Sequence, residues 1–337
     1  MTELPTRRPT LADLAREAGT SPSTASRALS GRGYVSSDVR TKLLDAAERL
    51  GYVPNLSART LKQQTSRVVG VVVSDLGNQF YAQVAAGIEQ TLREAGYQMI
   101  LLGDNSETTA ELDGARTFVA MRAAGVIMTP VSSETARLLS GQGTAVVEVD
   151  RRLATTPCDA VVIDNERGAR AATKHLLDLG HRRVGLLVVD TDWTSDAGRV
   201  EGYRNAHADA DVTVDDRLLV RVPVHAAEPE RHIERLFAYN APTAIFAANN
   251  LLAEQAWRVL RKRGLELPRD VSLVGFDDVS WMEMVDPPIT VVDQPTVEMG
   301  RCAARLLLER LANPEAAPRV ELLQPSLIVR RSTAPPS

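Results

Sequence analysis

The chain has 337 residues, of which 44% are hydrophobic, 24% charged and 4% aromatic, with a formal net charge of −4 and two cysteines. That length gives about two domains with cores built on aliphatic side chains, and the ordinary charged fraction excludes a wholly disordered chain. No apolar run approaches the ~18 residues that span a bilayer, the opening MTELPTRRPT has no apolar h-region, and Cys158 and Cys302 cannot form a disulfide framework, so a cytoplasmic protein without membrane contact is expected.

The elements begin with a basic head. Residues 1–67 carry 11 Lys and Arg against 6 Asp and Glu, while the rest of the chain is acidic, which suggests an anionic partner for the head. Leu11, Leu14, Ala15 and Ala18 share one face of a short helix that Thr10 caps and Gly19 ends. Ser21 is a second N-cap, and Pro22 stands at the first helical position, where a missing N–H costs nothing. Ala25, Ala28 and Leu29 face inward there, and Ser23, Ser26 and Arg27 outward. A third helix follows Ser36, with Val39, Leu43, Ala46, Ala47 and Leu50 inward and Gly51 as its stop. Two short helices about a tight turn read as helix-turn-helix. The spacing alone also fits a three-helix protein-binding module.

From Val68 the texture changes to alternating strands and helices. Strands are expected at Val68–Val73, Met99–Leu102, Gly125–Met128, Thr144–Val149 and Ala160–Ile163, with helices over Phe80–Ala95 and Glu111–Arg122. Beyond Asp164 come a helix to Leu179, strands Val184–Val189, Thr243–Ala247 and Val271–Gly275, and helices Arg199–Ala208 and Leu251–Arg263. Such alternation implies parallel sheets covered on both faces, and about 270 residues exceed one sheet, so two α/β lobes are expected. In open α/β sheets ligands sit beyond the strand carboxyl ends. Those ends carry Ser74-Asp75, Asp104-Asn105, Asp150-Arg151, Asp164-Asn165, Asn249-Asn250 and Asp277-Asp278. Asp and Asn there can be simple turn and cap residues; several converging on one cleft suit a hydroxyl-rich ligand.

These residues resemble a known family. Pro9 to Asn55, PTLADLAREAGTSPSTASRALSGRGYVSSDVRTKLLDAAERLGYVPN, is similar to the headpiece of the LacI/GalR transcriptional repressors, and Ala58–Lys62 to their hinge helix. VVVSDLGNQFYAQVAAGIE, VEVDRR, VVIDNERGARAATKHLLDLGHRRVGLL, SDAGRVEGYRNA, AIFAANN and VSLVGFDD resemble the effector domain in order, and PPITVVDQP before a long helix fits its end. The family often has Asn-Pro-Phe where this chain has Asn78-Gln79-Phe80, and Asn-Asp where it has Asn249-Asn250.

The resemblance implies a headpiece over 1–54, a hinge over 55–67 and an effector-binding and dimerisation domain over 68–337. The first lobe would cover about 68–163 and 293–322, and the second about 164–292 and 323–337. It implies a homodimer, or a tetramer, that places one recognition helix per headpiece in the major groove of a palindromic operator. Pro22, Ser23 and Arg27 would face bases, Arg27 with a fork that matches guanine O6 and N7. Tyr34 would face the groove, and Ser21, Thr24, Ser36 and Asn55 would bind phosphate. Capping alone also accounts for Ser21 and Ser36. The hinge, which includes Ala58, is too short to be a stable isolated helix, and Leu61 would wedge into the minor groove.

For the effector, a sugar- or polyol-like compound, the matched positions are Asn78, Phe80, Asp150, Asp164, Trp193, Ser195, Arg199, Asn249, Asp277, Trp281 and Gln294. Asp277, Asn249 and Arg199 would satisfy vicinal hydroxyls, and Phe80, Trp193 or Trp281 would give a stacking face, while core packing also accounts for Trp281 and helix capping for Asp164. No cofactor or metal is expected. Two other readings share parts of the pattern: a periplasmic-type sugar-binding protein, which has no use for a basic head, and a Rossmann-like enzyme. Against an enzyme, the chain has no Gly-x-Gly-x-x-Gly, Gly-x-Ser-x-Gly or His-Glu-x-x-His, and no Lys follows a Gly.

Overall fold

In the computed structural model, residues 9–30, 34–53, 66–153, 157–238 and 241–336 are described. The chain divides into two compact units, Met1–Ser66 and Arg67–Ser337. In the first unit, α1 (Leu11–Glu17) opens with a reciprocal cap: Thr10 accepts from the Asp13 amide, and the Asp13 carboxylate accepts from Thr10 N at 2.9 Å. α2 (Pro22–Ser30) is capped by Ser21 Oγ, which accepts from Thr24 N at 3.1 Å. α3 (Ser37–Leu50) ends at Gly51, whose φ of 61° closes the helix in the left-handed region. Ser36 makes no side-chain cap bond; its carbonyl accepts from Arg40 N at 3.0 Å. Leu14, Ala15, Ala25, Ala28, Leu43 and Ala46 form the core, in which four small alanines surround two leucines.

The second unit holds two six-stranded sheets. The first contains β1 (Val68–Val73), β2 (Gln98–Gly103), β3 (Gly125–Met128), β4 (Ala145–Asp150), β5 (Asp159–Ile163) and β11 (Val320–Leu323). Their order is β11-β5-β4-β3-β1-β2, parallel throughout. The second contains β6 (Val184–Val189), β7 (Leu219–Val222), β8 (Ala244–Ala247), β9 (Ser272–Phe276), β10 (Thr290–Asp293) and β12 (Ser326–Ile328). Its order, β12-β10-β9-β8-β6-β7, repeats the first, except that β12 runs antiparallel to β10. The chain therefore passes between sheets three times, after Ile163, Asp293 and Leu323.

Helices α4 (Gln79–Glu94), α5 (Thr108–Ala120) and α6 (Ser133–Gly141) flank the first sheet. α7 (Asn165–Asp178), α8 (Thr194–Asp209), α9 (Pro229–Glu234), α10 (Asn250–Lys262) and α11 (Ser280–Met284) flank the second. α12 (Thr296–Ala312) follows a strand of the second sheet but packs against α4 and the β3–β5 face of the first. Its approach to α4 is close enough that a Cβ on Gly87 would stand 2.1 Å from Val297 O, and one on Gly300 2.1 Å from Val84 O. Among the described residues no helix is long and apolar enough to cross a membrane.

Candidate functional site

The carboxyl ends of both sheets converge on a cavity of about 290 Å³. From the first sheet it receives Ser74 and Asp150 from the ends of β1 and β4, Arg151, and Asn78, Phe80 and Tyr81 from the start of α4. From the second come Trp193, Ser195, Asp196 and Arg199 around the start of α8, Asn249 at the head of α10, and Asp277 just after β9; Gln294 comes from the β10–α12 crossing. Since β4 and β9 hold the same place in the two strand orders, Asp150 and Asp277 are structural counterparts. Both take left-handed backbone, φ 72° and 67°, a conformation that ordinary side chains rarely adopt and that turns each carboxylate at a strand end.

Local structure explains each placement. Asn249 caps α10, its Oδ1 accepting from Leu252 N at 2.8 Å. Asp277 is buried and accepts from Gln294 Nε2 and from Asn250 N at 3.3 Å. The Arg199 guanidinium carbon lies over the Phe276 ring, 4.0 Å from its centre, and the side chain donates to Asn165 Oδ1 at 2.8 Å and to the Ala248 carbonyl. Arg151 stacks on Trp193 at 3.6 Å and donates to Ser74 Oγ at 2.6 Å and the Pro130 carbonyl at 2.7 Å. Its guanidinium is 4.0 Å from the Asp150 carboxylate.

Three buried carboxylates, Asp150, Asp196 and Asp277, thus share two guanidiniums. Burial pushes the Asp150 carboxyl up to about 6 against the downward pull of Arg151 and Arg199. It raises Asp196 and Asp277 as well, with Arg199 opposing in both cases. The side-chain oxygens Gln294 Oε1 and Gln255 Oε1, both in residues lining the cavity, are buried without a hydrogen-bond partner. A wall of Val222, Pro223, Val224, Ala226, Pro229 and Leu251 faces the polar groups. The site can therefore accept several hydrogen bonds, donate a few, and cover one apolar edge.

Of the effector positions expected from sequence, Asn78, Phe80, Asp150, Trp193, Ser195, Arg199, Asn249, Asp277 and Gln294 are brought together here. Asp164 and Trp281 are not. Asp164 caps α7, accepting from Arg167 N at 3.0 Å, so its carboxylate is turned onto its own helix. Trp281 packs beside Trp257, ring centres 6.3 Å apart, in the apolar cluster around α10 and β9. Trp193 also differs from expectation, because one ring face is covered by Arg151. Arg151, Asp196, Tyr81 and Gln255 escape the sequence reading; only Arg151, next to Asp150 at a strand end, had a visible cue.

In the first unit, Ser21 before α2 and Pro22, Ser23 and Arg27 on it are exposed, with Thr24 half-buried. Arg27 Nε donates to the Ser23 carbonyl at 3.3 Å, which lays the side chain along the helix. Ser21 Oγ also contacts the hydroxyls of Ser23 and Thr24 at 2.8 and 2.9 Å. Tyr34 is 92% exposed. Ser36 is exposed; Asn55, Ala58 and Leu61 lie outside the described residues.

Residues 10–55 match the model of the lacI family of bacterial regulatory proteins, and residues 173–333 that of a periplasmic binding protein-like domain. The HTH-type transcriptional regulator DegA of Bacillus subtilis is 31% identical over 331 residues, covering 97% of this chain and 98% of DegA. The chain belongs to the LacI family. Among solved structures, the complex of the transcriptional regulator CelR with cellobiose is 31% identical, covers 96% of this chain and 100% of that one, and has a TM-score of 0.71. The lac repressor dimer bound to operator and the anti-inducer ONPF is 25% identical over 97% of this chain and 100% of that one, with a TM-score of 0.83. This LacI-family chain is thus a DNA-binding transcriptional regulator, with a three-helix DNA-binding head and a two-sheet effector-domain fold.

Proposed function

We propose that this regulator is a cytoplasmic repressor that binds a palindromic operator as a homodimer, and that a neutral sugar- or polyol-like effector in the cleft sets its operator affinity. The observation that carries the reading is the cavity's hydrogen-bonding inventory. The Asp150 and Asp277 carboxylates accept, while Arg199 and the Asn249 amide donate, and the amides of Gln294 and Gln255 stand in the same lining. Vicinal hydroxyls both donate and accept, and so match that alternation. Both guanidiniums already have protein partners and three carboxylates stand nearby, which disfavours an anionic ligand. The apolar wall would cover a carbon face of the same ligand. The cellobiose complex of CelR supports the sugar class.

The headpiece spans 1–54, the hinge 55–67 and the effector domain 68–337, with lobes of about 68–163 plus 293–322 and about 164–292 plus 323–337. On DNA, Arg27 reads a guanine, Pro22 and Ser23 contact base edges, and Tyr34 lies in the groove. Ser21, Thr24, Ser36 and Asn55 hold phosphates, Ala58 contacts DNA from the hinge, and Leu61 wedges the central step in the minor groove. The test is selection of binding sites from randomised double-stranded DNA with the full-length protein. The expected product is a two-fold symmetric sequence. With Arg27→Ala the preference at one base pair per half-site should relax, at a cost of ~1–3 kcal/mol. Recovery of no common sequence would overturn the reading.

A further inference from the structure

Protein–protein bonds join the two halves of the body across both rims of the cavity. On one rim, Asn250 Nδ2, at the first position of α10, donates to Asn78 Oδ1 at 2.8 Å. Beside it Gln79, the first residue of α4, pairs reciprocally with Ser280 at the start of α11. Gln79 Nε2 donates to Ser280 Oγ at 2.8 Å, and Ser280 N donates to Gln79 Oε1 at 3.0 Å. On the other rim, Thr194 Oγ1 accepts from Arg152 N at 3.1 Å and donates to Arg152 O at 3.2 Å.

Neither Gln79 nor Asn250 lines the cavity. Their bonds run from one half of the protein to the other, so they favour the closed arrangement whatever the cavity holds. They are also the two positions at which this chain departs from the Asn-Pro-Phe and Asn-Asp pattern of the family it resembles. Proline in place of Gln79 and a carboxylate in place of Asn250 would supply neither side-chain donor. Both departures thus put a cross-cleft amide where the pattern has none.

We propose that Gln79 and Asn250 form a latch, a pair of positioning residues that holds the two halves together and sets how much of the regulator is closed before any effector arrives. A hydrogen bond of this kind is worth a factor of about 2–10 in an equilibrium. The three bonds together then shift the closed-to-open ratio by about 10-fold or more, even with Ser280 solvent-exposed. A ligand that needs the closed arrangement binds more tightly in proportion to the fraction already closed. The inference rests on the cleft as the ligand site but not on the ligand being a polyol, because its test uses no ligand.

The decisive variant is Gln79→Pro combined with Asn250→Ala. Proline is tolerated at a first helical position, and Asn78 already has the extended backbone, φ −83° and ψ 120°, that a residue before proline requires. Gln79→Ala, measured in parallel, removes the same amide without constraining the backbone. Full-length protein carries one dye on each half, in dimers with a single labelled subunit, and energy transfer is read molecule by molecule. Wild type should be mostly in the high-transfer, closed population. The double variant should lower its closed-to-open ratio about 10-fold or more, with Gln79→Ala intermediate and far-ultraviolet circular dichroism unchanged. Coincident distributions for wild type and variants would overturn the latch, as would a wild-type protein found only open. Should the double variant fail to fold, Gln79→Ala alone decides the question by the same criterion.

Discussion

Asp277 shows how one side chain ties the cleft to the fold around it. Its carboxylate accepts from Gln294 on the crossing into α12 and from the backbone at the head of α10, so one group orients two elements and still lines the cavity. Asp277→Ala leaves both donors without their acceptor and removes the charge that a ligand hydroxyl would meet. Effector affinity should fall by ~1.5–3 kcal/mol or more, measured calorimetrically, while the protein remains a folded dimer. Asp150 predicts a pH dependence. Burial holds its carboxyl near 6, and a hydroxyl that donates to it stabilises the ionised form. Binding then expels the proton, so affinity is full above about 6 and falls as pH drops through that value. Fold stability runs the other way: a carboxyl raised from 3.8 to about 6 penalises the folded state once ionised, and the penalty fades as pH falls. Titrations at pH 7.5 and 5 should differ for wild type, and Asp150→Asn should flatten the difference.

Among the elements, the α4–α12 pair bears the most on the closed body, since α4 begins at the cavity and α12 is entered through Gln294. Their backbones meet at glycines. Gly300→Ala would drive a Cβ to 2.1 Å from the Val84 carbonyl, so the helices must separate. The cost should be ~1–3 kcal/mol, or several degrees of melting temperature. An unchanged thermal transition would mean that the pair is looser than described. The same scale shows what a sequence can reveal. Central strands such as β1, β6 and β8 are continuous apolar runs and could be read directly, as could the caps at Thr10, Ser21 and Gly51. β7, β10, β11 and β12 are not legible as strands because each is only three or four residues long, and Arg221 and Glu321 interrupt the apolar runs of β7 and β11, whereas the edge strand β2 carries the apolar run Met99–Leu102. α8 begins at Thr194, five residues before the expected start, because its first turns bury Ser195, Asp196 and Arg199 toward the cleft. A helix whose buried face is polar shows no apolar stripe. Asp164 and Trp281 are expected in the site by matching position. One caps its own helix and the other packs beside an aromatic neighbour, the alternatives that their residue types already offer in the sequence.

For the whole molecule, the head and the cleft belong to separate compact units of one chain, and regulation requires that binding at one change affinity at the other. An effector can do so only through different affinities for the two arrangements of the body, and the operator must then alter effector affinity by the same factor. The direct test takes the strongest ligand from a thermal-shift screen of sugars and polyols and titrates it into full-length protein by calorimetry, alone and with saturating selected operator. The two dissociation constants should differ by about 5–150-fold, the range typical of allosteric coupling. Equal constants in the two titrations would mean that the cleft and the head are uncoupled.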